Sequence, residues 1–156
     1  VNFADALKDS ANVFLDCLNL QGDFHDDRFK DNNRRFLVAC GTFARDLKPS
    51  VFADIMAENV AQGYDDDGMP LETVVCTDWR YINELITCQK VLIPMGWRVR
   101  TVYISTTGIS AANTEEANSI CEIRDLVRFD QEYHFDINQR NQIMYEGRML
   151  AKQWNL

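Results

Sequence analysis

The sequence predicts an α/β protein in which a parallel sheet carries helices on both of its faces. Short β-branched and apolar segments at residues 73–77, 99–104 and 133–137 alternate with longer stretches whose apolar residues recur at helical spacing. Strands separated by helices form βαβ units with right-handed crossovers, which places the strands parallel to one another. A length of 156 residues is that of one domain, so we expect a single domain over residues 1–156.

Helical periodicity accounts for most of the amino-terminal half. Phe3, Leu7, Phe14 and Leu18 share one face of the first helix, and Ser50 after Pro49 is a natural start for the third. The predicted helices cover residues 4–19, 34–45, 50–60, 81–92, 114–127 and 139–154.

The segments between these helices divide into strands and loops. Residues 73–77 form a continuous apolar run, as expected of a strand buried on both faces. Residues 21–33 are polar and predict a surface connection, and residues 63–70, which include Asp65–Asp67, predict a solvated turn. Small and polar residues from Ser105 onward predict a mobile, lid-like loop over about residues 105–118. The last helix is expected to bury Ile143, Leu150, Ala151 and Trp154.

Composition excludes several classes of protein. The formal net charge of −8 disfavours a nucleic-acid binder, because such proteins neutralise phosphates with Lys and Arg. No apolar run has the roughly 20 residues that span a bilayer, so no membrane partner is expected. The cysteines are odd in number and lie mostly in apolar segments, which predicts reduced core thiols and a cytoplasmic protein. They are Cys17, Cys40, Cys76, Cys88 and Cys121.

The clearest candidate site is Thr77-Asp78-Trp79-Arg80, at the end of the predicted strand 73–77. Ligands of open parallel sheets bind beyond the carboxyl ends of the strands. There Asp78 could hold a Mg²⁺-bound water and Arg80 a phosphate. Equally, Asp78 could cap the following helix while Arg80 pairs with Glu84 one turn later.

Further arginines have both a functional and an ordinary interpretation. Arg34, Arg35 and Arg45 flank Gly41-Thr42, an arrangement that suits a phosphate but also a solvated face around a helix-packing glycine. Arg124 and Arg128 lie one turn apart and could close over phosphates, or pair with Asp125 and Asp130 on the surface. For these arginines the ordinary interpretation is favoured by spacing alone. His134 is interpreted as a core or rim histidine, and no Ser/His/Asp arrangement stands out.

In their order and spacing, these segments resemble the bacteriophage deoxynucleoside monophosphate kinases, a branch of the P-loop kinases. Phe3-Ala4-Asp5-Ala6-Leu7-Lys8-Asp9 is similar to the stretch after the family's second strand. Residues 35–45 resemble its "R-x-L … G-T … R" helix, and residues 77–84 its "D-x-R-x-x-N-E" motif. Asp136-Ile137-Asn138 is similar to its "I-x-N" end, with the asparagine directly after the isoleucine.

The resemblance implies a three-layer P-loop-kinase fold and phosphoryl transfer from ATP, with Mg²⁺, to a deoxynucleoside monophosphate. It implies that Arg35, Arg45 and Arg80 hold the acceptor, together with Gly41, Thr42 and Glu84. Asp78 would support Mg²⁺, and Arg124 and Arg128 would clamp phosphates. A phage-encoded protein of this kind would act in the host cytoplasm. Homodimerisation is left open.

The sequence departs from the family pattern at two places. No G-x-x-x-x-G-K-S/T motif is present, so neither the phosphate-binding loop nor the usual first strand is found in these 156 residues. We therefore expect a preceding segment of roughly 25–35 residues in the native protein. The lid position carries Asn113-Thr114-Glu115-Glu116 instead of a basic or histidine residue. The alternatives are a non-catalytic nucleotide-binding or protein-binding relative, or a structural phage protein on the same scaffold.

Overall fold

A computed structural model describes residues 2–64, 68–111 and 114–156, apart from the side chain of Glu115. Seven α-helices and two strands occur in these ranges: α1 Asp5–Cys17, α2 Asp27–Asn32, α3 Arg34–Leu47, α4 Val51–Gln62, α5 Ile82–Leu92, β1 Val102–Thr106, α6 Thr114–Leu126, β2 Gln131–Phe135 and α7 Arg140–Trp154. The chain divides into two compact units, an amino-terminal unit (Val1–Arg98) and a carboxy-terminal unit (Val99–Leu156). A single domain spanning both units stays a prediction.

The amino-terminal unit is helical, and its first three helices enclose an aromatic core. Phe24 is the most deeply placed large side chain, 2% exposed, and its ring contacts those of Phe29 and Phe36 at centroid distances of 5.1 and 5.6 Å. The core also contains Ala11, Leu15 and Leu37. The prediction of a surface connection over residues 21–33 is therefore wrong for Phe24, whose burial anchors that segment.

Local hydrogen bonds explain how a polar segment comes to hold this core residue. The side-chain oxygen of Asn12 accepts the backbone N–H of Phe24 at 2.8 Å, and its amide donates to Asp23 at 2.7 Å. The carboxylate of Asp26 then accepts the N–H of Phe29 at 2.7 Å and caps α2. Asp26 thus caps a short helix within the segment that was predicted as a surface connection.

Helices α4 and α5 pack against each other and bury a second apolar group. This group consists of Phe52, Ala53, Met56, Ala57, Val60, Leu85, Cys88 and Leu92. Helix α4 ends at Gly63, whose φ of 76° is a left-handed conformation that glycine adopts without a steric penalty. The predicted helices over residues 50–60 and 81–92 are confirmed.

The predicted strand over residues 73–77 does not form. These residues lie outside any helix or strand, and Val75 is 64% exposed, so burial on both faces is also wrong. A strand needs the backbone of a neighbouring strand to satisfy its N–H and C=O groups. Among the described residues, only β1 and β2 pair as strands, and both lie in the other unit.

The carboxy-terminal unit contains a βαβ arrangement of the predicted kind. Strands β1 and β2 pair in parallel, with Val102 opposite Gln131 and Thr106 opposite Phe135, and α6 connects them. Mixed α/β character and parallel pairing are confirmed, although the strand limits differ from 99–104 and 133–137 by two or three residues. The sheet described has two strands.

Helix α7 forms where predicted but is less buried than expected. Ile143 is 39% exposed, and Leu150, Ala151 and Trp154 are half-buried. The guanidinium carbon of Arg100 lies 5.9 Å from the centre of the Trp154 ring. Side-chain spacing defines an apolar face but not what covers it. The prediction therefore overestimated how deeply these four side chains are buried.

Two further predictions concerned the cysteines and membrane-spanning segments. Cys88 is buried, whereas Cys17 and Cys121 are exposed, so the prediction of core thiols is wrong for the last two. No helix in the described ranges combines the length and apolar character needed to cross a bilayer. Asp65–Asp67, predicted as part of a solvated turn, lie outside the described residues.

Candidate functional site

The candidate site of the amino-terminal unit is centred on Arg45. Its guanidinium carbon lies 5.0 Å from the centre of the Phe52 ring and 4.9 Å from that of Tyr81. A cation over an aromatic face is attracted by the ring quadrupole, and a guanidinium can stack in this way while its edge N–H groups bind other acceptors. Helix α3, helix α4 and the residue before α5 thus combine to position one arginine.

Gly41 lies one helical turn before Arg45 and is buried. A Cβ atom at this position would lie 3.1 Å from Cδ2 of Leu7 and 3.4 Å from Nη1 of Arg45. The glycine therefore allows α1 and the arginine side chain to approach α3 closely. This confirms a helix-packing role for Gly41, while Thr42 and Arg35 are exposed on the same helix.

Glu84 is the most unusual charged group of this region, at 4% exposed. One of its oxygens, Oε2, accepts the backbone N–H groups of Arg80 at 2.9 Å and Tyr81 at 3.1 Å, the two residues just before α5. Burial raises the pKa of Glu84 above its usual value, and these two hydrogen bonds and the charge of Arg45 only partly oppose the rise.

Arg80 and Glu84 are in contact as predicted, but the contact differs from the predicted pairing of their side chains. The hydrogen bond between them begins at the backbone N–H of Arg80. The Arg80 side chain is exposed. Glu84 therefore acts as a cap for α5, the role that the spacing had suggested for Asp78.

Asp78 caps a different helix from the one predicted. Its two carboxylate oxygens accept the backbone N–H groups of Phe3 and Ala4, each at 2.9 Å, just before α1 begins. The thiol of Cys76 donates to the same carboxylate at 3.2 Å, and burial raises the pKa of that thiol to about 12. Each carboxylate oxygen can accept more than one hydrogen bond, so a Mg²⁺-bound water at Asp78 stays a prediction.

The predicted site residues are divided between the two units. In the amino-terminal unit, Arg45 lies over the Tyr81 ring and next to Gly41, and its charge acts on Glu84, whereas Arg124 and Arg128 belong to the carboxy-terminal unit. Helix α6 ends at Leu126, so Arg128 lies beyond it and does not share a helical face with Arg124. The predicted one-turn pair is therefore wrong in geometry.

The predicted lid-like loop overlaps regular structure at both ends. Ser105 and Thr106 complete β1, and α6 begins at Thr114. Ala112 and Asn113 lie outside the described residues.

A polar network that the sequence did not reveal lies at the carboxyl ends of β1 and β2. His134 contacts Ser105 through Nδ1 at 2.8 Å and Thr107 through Nε2 at 3.0 Å. Thr107 in turn donates its hydroxyl proton to Asp136 at 2.7 Å. Ser105 and His134 are opposite each other in the parallel register, which strand spacing alone could not fix.

A cavity of about 540 Å³ adjoins this network. It is lined by Tyr103, Ser105, Thr106, Thr107, Gly108, Ile109, Arg124, Glu132, Tyr133 and His134. The guanidinium carbon of Arg124 lies 5.3 Å from the centre of the Tyr103 ring, so a cation and an aromatic face together form part of the wall. The volume is within the usual range for small-molecule sites.

Within the described ranges, no group of three or more His, Cys, Asp and Glu side chains is arranged to hold a metal ion. Comparison with protein families, with curated proteins and with solved structures finds no match to this chain.

Proposed function

We propose that this chain is part of a P-loop-type kinase that transfers the γ-phosphoryl group of ATP to a deoxynucleoside monophosphate. The proposed fold is the three-layer parallel sheet of that superfamily. The observation that supports the proposal most is the contact between Arg45 and Tyr81. It joins the two segments, residues 35–45 and 77–84, on which the resemblance to the phage kinases depends.

The surroundings of Arg45 suit the acceptor nucleotide. Its guanidinium contacts two aromatic rings, and a guanidinium edge matches the oxygens of a phosphate monoester. The exposed side chain of Arg80 begins next to Tyr81 and is proposed as a second phosphate donor, with Arg35 and Thr42 nearer the solvent. Glu84 fixes the backbone at Arg80 by accepting its N–H, and Gly41 leaves space for the side chain of Arg45.

The proposed cofactors are ATP and Mg²⁺, with Asp78 supporting the metal through a bound water and Arg124 and Arg128 contacting phosphates. Phosphoryl transfer of this kind depends on positioning and charge stabilisation more than on a protein nucleophile. The lysine that usually binds the ATP phosphates is not among these 156 residues. Acceptor binding is therefore the part of the proposal that this chain can test by itself.

The experiment measures thermal unfolding with each of the deoxynucleoside monophosphates and, separately, with Mg-ATP. A ligand that binds only the folded state stabilises it by about 2.7 kcal/mol at a hundredfold excess over Kd. We expect at least one monophosphate to raise the unfolding midpoint. Arg45→Ala and Arg80→Ala should each lower the affinity for that monophosphate by about tenfold or more, because each variant loses a charge-assisted hydrogen bond to the phosphate.

Arg28→Ala is the matched control, because Arg28 is an exposed arginine on α2 of the same unit. It should leave the affinity unchanged. Absence of stabilisation by every monophosphate, or equal binding by Arg45→Ala and the unsubstituted chain, would contradict the proposal. Monophosphate binding without any ATP-dependent transfer by the native protein would instead favour a non-catalytic nucleotide-binding relative.

A further inference from the structure

The hydrogen bonds around His134 determine which nitrogen of its neutral imidazole carries the proton. Thr107 donates its only hydroxyl proton to the carboxylate of Asp136, so its oxygen can only accept from His134. In the neutral imidazole Nε2 must therefore carry the proton, which leaves Nδ1 as the acceptor. The hydroxyl of Ser105 lies 2.8 Å from this unprotonated nitrogen.

The hydroxyl of Ser105 also has a backbone alternative, the carbonyl oxygen of Tyr133 at 3.3 Å. The contact with His134 is shorter by half an ångström and reaches a stronger acceptor. The second contact has a use once the imidazole is protonated. Ser105 Oγ can then accept from Nδ1 while its own proton points to the Tyr133 carbonyl, so the network accommodates both states of the ring.

We propose that Ser105 is a nucleophile activated by His134 and that this second site acts on small carboxylic esters. The arrangement has the elements that covalent catalysis needs: a hydroxyl, a base within hydrogen-bond reach, and a third group that orients the base. Here the orienting role falls to Thr107, itself polarised by Asp136. The proposal does not depend on the kinase proposal, because Ser105, His134 and Thr107 have no role in that proposal.

The adjoining cavity supplies space for the substrate. Ser105, Thr107 and His134 all line it, so the nucleophile and its base face the same volume of about 540 Å³. The Arg124 guanidinium lies over the Tyr103 ring and gives this wall a positive charge with several N–H donors. Such a group favours an acyl chain that carries a carboxylate.

The chemical step is a conventional acyl transfer. The oxygen of Ser105 attacks the ester carbonyl carbon while its proton moves to Nδ1 of His134. The bond from that carbon to the alcohol oxygen breaks, and the alcohol leaves with the proton from Nδ1. Water then attacks the acyl-serine with His134 again as base, which releases the carboxylic acid and restores Ser105.

An alkyl fluorophosphonate tests the nucleophile directly. The Ser105 oxygen displaces fluoride and forms a stable bond to phosphorus, which intact mass and peptide mapping detect. In the unsubstituted protein we expect labelling at Ser105 and none at Ser10, whose exposed hydroxyl donates to the Ala6 carbonyl. Labelling of Ser105 no faster than Ser10 would overturn the proposal without any variant.

Variants then separate the base from the group that orients it. His134→Ala should slow labelling by about 10²- to 10⁴-fold, the usual contribution of a general base. Thr107→Val removes the hydroxyl but keeps the shape, and should slow labelling, whereas Thr107→Ser should restore it. Equal rates in Thr107→Val and the unsubstituted protein would remove the positioning role of Thr107. An unchanged rate in a folded His134→Ala protein would remove the base.

Discussion

The carboxylate of Asp78 accepts the backbone N–H of Phe3 at 2.9 Å, joining residues that are 75 positions apart in the sequence. Its other oxygen accepts the N–H of Ala4 at the same distance. Amides next to a helix start have no partner within the helix, and a carboxylate there also interacts favourably with the helix dipole. The residue predicted from the sequence to hold a Mg²⁺-bound water therefore has a structural role as well.

Replacing Asp78 with alanine should destabilise the amino-terminal unit. Hydrogen bonds to a charged group contribute about 1.5–3 kcal/mol, and their loss leaves two amides of the α1 start without their acceptor. Urea unfolding measures the change, and amide hydrogen exchange at Phe3 and Ala4 localises it. Asp46→Ala, an exposed substitution on α3, should stay within about 0.5 kcal/mol. Unchanged exchange at both amides would contradict the capping role.

Arg45→Ala should also cost stability, independently of any ligand. The arginine interacts with both the Phe52 and Tyr81 rings, and one cation–π contact contributes about 0.5–2 kcal/mol depending on burial. Arg45→Lys keeps the charge but loses the planar group, so an intermediate loss is expected. Equal unfolding free energies for both variants and the unsubstituted chain would show that the stacking contributes nothing.

The raised pKa of Glu84 makes stability depend on pH. Burial raises this pKa above the ordinary value of 4.5, so the folded state keeps the proton to a higher pH than the unfolded state. The free energy of unfolding should therefore fall as pH rises from about 4.5 towards the folded pKa. Glu84→Gln lacks this titration, and its single carbonyl oxygen can still accept both N–H groups that now reach Oε2.

The measurement for Glu84 is the difference in unfolding free energy between the unsubstituted chain and Glu84→Gln from pH 4.5 to 7. The unsubstituted chain should lose stability relative to the variant across this range. Glu58→Gln, an exposed substitution on α4, is the matched control for the loss of a surface carboxylate. If the difference in unfolding free energy is the same at every pH, burying the charged form of Glu84 does not destabilise the folded state.

Two helical glycines should respond differently to alanine. Nothing lies within 4 Å of a Cβ atom at Gly147 in α7, so Gly147→Ala should gain about 0.5–1 kcal/mol from helix propensity. At Gly41 the added Cβ would meet Leu7 at 3.1 Å, so that side chain must shift and the gain should be smaller or reversed. Circular dichroism during urea unfolding measures both. An equal gain at the two positions would show that Gly41 is not needed for close packing.

The local pattern of this sequence determined most of its regular structure. Helices α1, α3, α4, α5, α6 and α7 and the parallel βαβ unit were predicted, because side-chain periodicity and terminal residues are properties of neighbouring positions. The same reasoning failed for Phe24 and for residues 73–77. A single aromatic side chain in a polar stretch has no period, and a strand depends on a partner that may lie anywhere in the chain.

Only the tertiary structure decided which polar groups meet. The contact of Arg45 with Tyr81 joins residues 36 positions apart, and the hydrogen bond between Ser105 and His134 joins residues 29 positions apart. The hydrogen bond from the Phe3 N–H to Asp78 joins more distant ones. The sequence contains the side chains for each of these contacts, but spacing along a chain does not specify distance across a fold. Helix packing and strand register set that distance, and with it the pairing of each charge and hydroxyl.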